Sequence, residues 1–207
     1  MRPAWRWWLR APAISGTDAR GSRPALWAAG PLLSYLWPAN HIEETNTMST
    51  YRVRVAKDYT VFAAAHFVTY NRVETEPLHG HNYRAAVSIE GDLDENHYVF
   101  NFVPLKRKLR AITDSLDHHM LLATGNPVIE VTEDGDSYHV SQAGKQYVFP
   151  KADVVLLPIP NTTAELLATW ISQQLVAWLH ENGTGALTAL EVEEVFGQTA
   201  TFRHELR

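Results

Sequence analysis

The sequence predicts an α+β fold in which two helices lie on one face of an antiparallel sheet. Apolar and polar residues alternate in several segments of the first half and again near the C-terminus, which is typical of half-buried strands. Two other segments carry apolar residues at helical spacing. The order strand, strand, helix, helix, strand is typical of a sheet covered by helices on one side.

Three alternating runs predict the strands of the first half, at residues 51–55, 61–67 and 83–90. Gly91-Asp92 follows the third run and is a turn signal. Residues 187–196 alternate again and predict the last strand.

The first predicted helix follows these strands and has one apolar stripe. Its members lie at positions i, i+4, i+7 and i+11, namely Leu105, Leu109, Ile112 and Leu116. Pro104 stands near its start, where proline is tolerated.

The second predicted helix begins near Thr162. Thr162 and Glu165 have the Thr-x-x-Glu spacing of a capping box, and Asn182-Gly183 is a stop signal. Its apolar stripe consists of Leu167, Ile171, Leu175 and Trp178.

Residues 128–157 predict a small β segment inserted between the two helices. Short strand candidates lie at residues 128–131, 138–140 and 146–149, and Gly-containing turn signals separate them.

Residues 1–47 differ in character from the rest of the chain. They hold five of the seven tryptophans and have no steady strand or helix period. Pro and Gly interrupt their apolar runs, so no targeting segment is predicted. Met48 then opens an alternating segment. We therefore expect a domain at 48–207, preceded by a disordered extension that reflects an over-long gene prediction.

Composition excludes several classes of partner and site. The net charge of the 207 residues is −5, and no long run of Lys or Arg is present, so neither nucleic acid nor a membrane surface is an expected partner. No apolar stretch is long enough to span a bilayer. The chain has no cysteine, which excludes thiolate metal sites and thiol nucleophiles and is compatible with a cytoplasmic location.

A histidine pattern gives the first indication of chemistry. His79 and His81 alternate with Gly80 in an extended segment, so both imidazoles point to the same face. His66 ends another strand run. Three histidines without a thiolate are the ligand set typical of a catalytic zinc. The alternative is that His79 and His81 are merely polar residues on an exposed strand face.

Five blocks of sequence carry a resemblance to a known family. They are Ala-Ala-His66, His79-Gly-His81-Asn-Tyr83, Leu116-Asp117-His118, Thr163-Ala-Glu165 and a strand run that ends at Glu194. In order and spacing they resemble the 6-pyruvoyl-tetrahydropterin synthase and 6-carboxytetrahydropterin synthase family. The resemblance covers residues 50–122 and 158–203.

The resemblance implies a tunnelling fold (T-fold), with an antiparallel four-stranded sheet backed by two helices. It also implies a homo-oligomer, a hexamer by family likeness, whose active sites lie between subunits. The expected cofactor is Zn²⁺, held by His66, His79 and His81. The expected partner is a small pterin substrate.

Further roles follow from the same resemblance. Asp117 and His118 are expected to relay a proton, in a neighbouring subunit's site if the family arrangement holds. Glu194 is expected to anchor the pterin, because a carboxylate can accept two hydrogen bonds from its amino-pyrimidine edge. Thr163 and Glu165 are candidate substrate contacts, with helix capping as the alternative for each.

The chain departs from most of the family at the catalytic base. Thr75 stands where the carboxy-forming branch has its cysteine, and Glu76 precedes His79-Gly-His81 by three positions. This arrangement resembles a subgroup in which glutamate replaces the thiol. That subgroup is associated with conversion of 7,8-dihydroneopterin triphosphate to 6-hydroxymethyl-7,8-dihydropterin in a folate-type pathway. Glu74 is a second candidate for the base.

Three alternatives stay open at this point. The chain could be a 6-pyruvoyl- or 6-carboxytetrahydropterin synthase that lacks the thiol. It could instead be a non-catalytic pterin-binding subunit, or a zinc hydrolase of another fold.

Overall fold

The computed structural model describes residues 50–71, 74–182 and 186–204. The chain divides into two units, Met1–Thr47 and Met48–Arg207, and all of the described residues belong to the second. The prediction of a disordered or mis-assigned extension at 1–47 lies outside the described residues. Within them, no helix has the length and apolar character needed to cross a bilayer.

Eleven strands and two α-helices build the described part of the chain. The strands are β1 (Tyr51–His66), β2 (Thr69–Tyr70), β3 (Glu74–Thr75), β4 (His79–Gly91), β5 (His119–Ala123), β6 (Ile129–Asp134), β7 (Ser137–Gln142), β8 (Lys145–Pro150), β9 (Val154–Leu157), β10 (Ala186–Val195) and β11 (Gln198–Phe202). The helices are α1 (Phe102–Asp114) and α2 (Ala164–Asn182).

The main sheet has six strands in the order β11-β10-β4-β1-β5-β9. Neighbours from β11 to β1 are antiparallel, whereas β5 runs parallel to β1 and β9 runs parallel to β5. The prediction of an antiparallel four-stranded sheet is therefore wrong. Helix α1 connects β4 to β5, which lies on the far side of β1 from β4. Because β5 runs opposite to β4, it is parallel to β1. Both added strands are short apolar runs of five and four residues.

The two strands predicted at 51–55 and 61–67 are one continuous strand. Its pairing with β4 shifts between Ala56 and Val61, where the register is irregular. Such a bulge bends a strand and changes which side chains face the core, and this break in the alternation produced the two separate predictions.

Both predicted helices are confirmed. The Asn101 side chain caps α1 by accepting a hydrogen bond from Val103 N at 2.9 Å. The predicted capping box of α2 is wrong by one residue. Leu167 N donates to Thr163 O at 2.9 Å, and Leu166 N lies 3.4 Å from Thr163 Oγ1, so Thr163 is the N-cap.

The helices cover one face of the main sheet and bury a continuous apolar core. All residues of the first predicted stripe are buried, although Leu116 lies just after the end of α1. The stripe residues of α2 are buried as well, except the partly buried Trp178. They pack against sheet residues such as Phe62, Tyr83 and Val87.

Strands β6, β7 and β8 form a separate three-stranded antiparallel sheet within the predicted β segment. Strand β9 also lies inside the predicted range of 128–157, but it joins the main sheet. Ile129 and Val140 of the small sheet pack with Met120, Leu122 and Phe67. Along β5, Leu121 and Ala123 belong to the helix-covered core instead. Because successive strand residues face opposite sides, the small sheet covers the side of β5 that the helices leave open.

Candidate active site

The three predicted metal histidines meet where β1 ends and β4 begins. His66 is the cross-strand partner of His79, and Ala64 is the partner of His81, which places all three imidazoles together. One ring nitrogen from each lies within 4.8 Å of the others. His66 is completely buried, whereas His79 and His81 are partly exposed. A metal held here would therefore have protein on one side and access to solvent on the other.

Backbone carbonyls fix the orientation of two of these rings. His66 Nδ1 lies 2.9 Å from Thr162 O, and His79 Nδ1 lies 2.8 Å from Pro77 O. A carbonyl oxygen only accepts, so each Nδ1 carries the proton and each Nε2 keeps a free lone pair. Burial also lowers the pKa of His66 to about 4, which keeps this ring neutral at pH 7.

Two carboxylates face these imidazoles. Glu194 Oε1, from the end of β10, lies 3.6 Å from His66 Nε2 and 3.8 Å from His81 Nε2. Glu76 Oε2 lies 3.6 Å from His79 Nε2. The site therefore combines three nitrogen donors with two acidic groups close by.

Two tyrosines donate to these carboxylates. The Tyr83 hydroxyl donates to Glu194 Oε1 at 3.4 Å and lies 3.1 Å from His66 Nε2. Burial, with a further contribution from Glu194, raises the pKa of Tyr83, so it stays protonated as a donor. The Tyr70 hydroxyl donates to Glu76 Oε1, and this hydrogen bond raises the pKa of Tyr70.

Gly80 allows β1 and β4 to approach closely between the two histidines. A Cβ on residue 80 would lie 2.9 Å from the backbone oxygen of Ala64, which cannot move without disturbing β1. We expect Gly80→Ala to lower the free energy of unfolding by about 2 kcal/mol and to weaken metal binding.

Gly91→Ala is the matched control, since it lies on the same strand and its added Cβ would meet only Val99 at 3.6 Å. That change should alter the unfolding free energy by less than about 0.5 kcal/mol in chemical denaturation. Equal effects of the two substitutions would contradict the close-approach explanation.

A cleft of about 550 Å³ opens beside the histidines. Its wall includes six of the predicted site residues, namely Glu76, His79, His81, Thr163, Glu165 and Glu194. This volume suits a small organic ligand with a few polar anchors. The position of Thr163 at the start of α2 means that its capping role and a ligand contact are compatible.

Asp117 and His118 lie outside the histidine cleft, and His118 lines a second cavity that shares His81 with it. Asp117 Oδ1 accepts from Ala63 N at 2.7 Å, and its Oδ2 lies 2.9 Å from His118 Nδ1. Burial opposes ionisation of Asp117, but hydrogen bonds from Ala63 and His118 lower its pKa overall. The His118 side chain is 84% exposed and lines a second cavity of about 480 Å³. Neither Asp117 nor His118 is among the described residues that line the histidine cleft.

Three residues that the structure places in the site have no predicted role there. Tyr83 shares the strand alternation of His79 and His81, so this signal was present. The sequence predicts that Thr162 caps a helix, whereas in the structure its carbonyl oxygen accepts from His66 Nδ1. Tyr70 gave no local signal, because its contact with Glu76 depends on the pairing of β2 with β3.

The donor set fits a zinc ion. An Nδ1 held by a backbone carbonyl, as in His66 and His79, is typical of zinc-binding histidines. Magnesium and calcium prefer sites dominated by oxygen ligands. His66, His79 and His81 are therefore the residues that would hold the metal.

Comparison with known proteins gives a consistent family. The family model described as 6-pyruvoyl tetrahydropterin synthase matches residues 54–205. A Methanocaldococcus jannaschii protein with the provisional name 6-carboxy-5,6,7,8-tetrahydropterin synthase is 30% identical over 148 residues, covering 70% of this chain and 90% of the relative. A Pyrococcus furiosus dihydroneopterin monophosphate aldolase is 38% identical over 60 residues, covering 29% of this chain and 50% of the aldolase.

Solved structures agree with this result. The crystal structure of 6-pyruvoyl tetrahydropterin synthase from Plasmodium vivax matches with a TM-score of 0.71 and 28% identity, covering 76% of this chain and 99% of that one. Two further structures of the Plasmodium vivax protein are described as catalytic-residue mutants, in which a glutamate is replaced by alanine or cysteine. The fold is thus the T-fold that the resemblance implied, with a mixed sheet. The chain belongs to the 6-pyruvoyl tetrahydropterin synthase family and is a lyase of the pterin synthase type.

Proposed function

We propose that this chain is a zinc-dependent lyase that converts 7,8-dihydroneopterin triphosphate to 6-hydroxymethyl-7,8-dihydropterin, a folate-type precursor. One observation carries the choice of product. In a chain without cysteine, the Glu76 carboxylate lies 3.6 Å from a candidate metal ligand and lines the cleft. A carboxylate in this position can serve as the general base that a thiol supplies elsewhere in the family.

The residues around the cleft suggest how the substrate is held. Glu194 would accept hydrogen bonds from the amino-pyrimidine edge of the pterin, with Thr163 and Glu165 as further contacts at the start of α2. His66, His79 and His81 would hold zinc at the substrate side chain. When bound, zinc supplies a Lewis acid that makes the side-chain hydroxyls more acidic.

The proposed reaction is a retro-aldol cleavage. Glu76 takes the proton from the 2′-hydroxyl, the C2′ carbonyl forms, and the C1′–C2′ bond breaks. The electron pair of that bond moves into the pterin ring at C6 and N5. Protonation at C1′ then yields the 6-hydroxymethyl group and releases a two-carbon phosphorylated aldehyde.

The Asp117–His118 pair is the proposed proton donor, acting in the cleft of an adjacent subunit. The exposure of His118 supports this proposal, because the imidazole is free to reach another copy of the chain. The Asp117 carboxylate fixes the orientation of the His118 ring through Nδ1. A homo-oligomer, and a hexamer by family likeness, would bring the two groups together.

Two features of the relatives support a glutamate base and carbon–carbon cleavage. A glutamate is the residue replaced in the Plasmodium vivax catalytic-residue mutants. The Pyrococcus furiosus relative is named as an aldolase.

A second candidate function is the formation of a 6-pyruvoyl or 6-carboxy tetrahydropterin. The names of the family model and of the Methanocaldococcus jannaschii relative favour it. In this case Glu76 would still act as a base, but the fate of the side chain differs. A 6-pyruvoyl product keeps all three side-chain carbons, whereas a 6-carboxy product keeps only C1′.

Product identification tests the choice between these functions. The full-length protein, loaded with zinc, is incubated with 7,8-dihydroneopterin triphosphate, and the pterin product is identified by chromatography and mass. We expect 6-hydroxymethyl-7,8-dihydropterin. A 6-pyruvoyl or 6-carboxy product would establish the second candidate and refute the proposed product.

A further inference from the structure

We propose that Tyr70 is a positioning residue that fixes which oxygen of the Glu76 carboxylate faces the metal cluster. The inference rests on the proposed function, in which Glu76 is the base. The Tyr70 hydroxyl donates to Glu76 Oε1, and the other oxygen, Oε2, lies 3.6 Å from His79 Nε2. The hydroxyl thus occupies one oxygen and leaves the other directed at the place where the reacting group would lie.

The backbone around Tyr70 and Glu76 is a short two-stranded ribbon. Thr69 pairs with Thr75 and Tyr70 pairs with Glu74. Glu76 N donates to Val68 O at 2.8 Å and extends the pairing by one step. These pairings fix the two backbone segments relative to each other. The phenol of Tyr70 and the carboxylate of Glu76 are therefore held within hydrogen-bonding distance.

Two asparagines hold this ribbon in place at Thr69. Asn161 Oδ1 accepts from Thr69 N at 3.2 Å, and Asn161 Nδ2 donates to Thr69 O at 3.0 Å. The amide thereby pairs with Thr69 as a neighbouring strand would. Asn126 Nδ2 donates to Thr69 Oγ1 at 2.8 Å. Tyr70 therefore follows a residue that is fixed through both its backbone and its side chain.

The same loop also fixes a metal ligand. Asn161 Oδ1 accepts from Thr162 N at 3.0 Å, and Thr162 O receives the hydrogen bond from His66 Nδ1. Asn161 thus links the ribbon that carries Tyr70 to the residue that orients His66. Asn161 therefore fixes the position of Glu76 relative to the metal ligands. A general base needs such a fixed position, because proton transfer requires short distances.

A glutamate side chain without such a contact would rotate about its terminal bonds and present either oxygen. A hydrogen bond to a carboxylate is stronger than one between neutral groups, so Tyr70 strongly favours one orientation. We therefore expect the Tyr70 hydroxyl to affect the rate of the chemical step, measured as kcat, and not the affinity for the substrate. The hydroxyl has this effect through its hydrogen bond to Glu76, so phenylalanine, which keeps the ring, should not replace it.

The test compares Tyr70→Phe with Tyr98→Phe in the full-length, zinc-loaded protein. The two tyrosines are 44% and 42% exposed, and Tyr98 lies in the connection between β4 and α1. We expect Tyr70→Phe to lower kcat about tenfold, with KM and zinc content changed by less than about twofold. Tyr98→Phe should leave all three unchanged. An unchanged kcat, or a raised KM with normal kcat, would overturn the proposal.

A double substitution separates this inference from the proposed function. In the Glu76→Gln background, Tyr70→Phe should cause no further loss, because the oriented base is already absent. A full additional tenfold loss there would refute a role that acts through Glu76. If Glu76→Gln alone keeps normal turnover, the proposed base is wrong. If Glu76→Gln is inactive while Tyr70→Phe is normal, only the role of Tyr70 fails.

Discussion

Replacing Glu76 with glutamine is expected to lower kcat by about 10³-fold, because general-base catalysis contributes roughly 10²–10⁴-fold. Glutamine keeps the size of the side chain and an oxygen that can accept from Tyr70, but it cannot take up the substrate proton. Zinc content and pterin affinity should stay near those of the unchanged protein. Steady-state kinetics, metal analysis and pterin titration measure the three quantities.

Glu74→Gln is the matched control for Glu76. Glu74 is exposed, lies on the same ribbon two residues earlier, and is the second candidate for the base. We expect this substitution to keep normal turnover. If Glu74→Gln is inactive and Glu76→Gln is active, the two glutamates have been assigned the wrong way round.

Replacing His79 with alanine is expected to weaken zinc binding by at least about a hundredfold and to abolish turnover. Loss of a residue that only supports a zinc ligand reduces metal affinity by roughly 10–100-fold, and a direct ligand should contribute more. His79 is partly exposed at the start of β4, so the fold should tolerate the change. Competition with a chelator of known zinc affinity, followed by metal analysis, gives the binding constant.

His139→Ala provides the comparison for this loss. His139 is an exposed residue of β7, and its Nε2 lies 3.7 Å from Asp134 Oδ2. Its replacement should leave zinc affinity and turnover unchanged. Equal zinc affinity in the His79 and His139 variants would show that the metal, if bound, does not use the predicted cluster.

The sequence was most informative where spacing alone determines geometry. The alternation of His79, Gly80 and His81 in an extended segment was sufficient to place both imidazoles on one face. The helical stripes were equally clear, since each buried position follows from a period of 3.6 residues. The placement of His66 opposite His79 was implied only by family likeness, because strand register cannot be read from either strand by itself.

Features that depend on long-range pairing were harder to predict. The parallel strands β5 and β9 are short, and each joins the sheet beside a strand that is distant in sequence, so no local pattern indicates their pairing. The bulge in β1 disturbed the alternation that would have marked it as one strand. At the site, Tyr70 reaches Glu76 through a hairpin, so no period or motif in the sequence indicates their contact.

The most direct test is a crystal structure of the zinc-loaded Glu76→Gln variant with 7,8-dihydroneopterin triphosphate, recorded at the zinc absorption edge. We expect one anomalous peak between the imidazole rings of His66, His79 and His81. We also expect the amino-pyrimidine edge of the pterin to donate hydrogen bonds to the Glu194 carboxylate. A peak elsewhere would contradict the metal site. A pterin bound outside the cleft, or Glu194 bound to the metal instead of the pterin, would contradict the proposed substrate position.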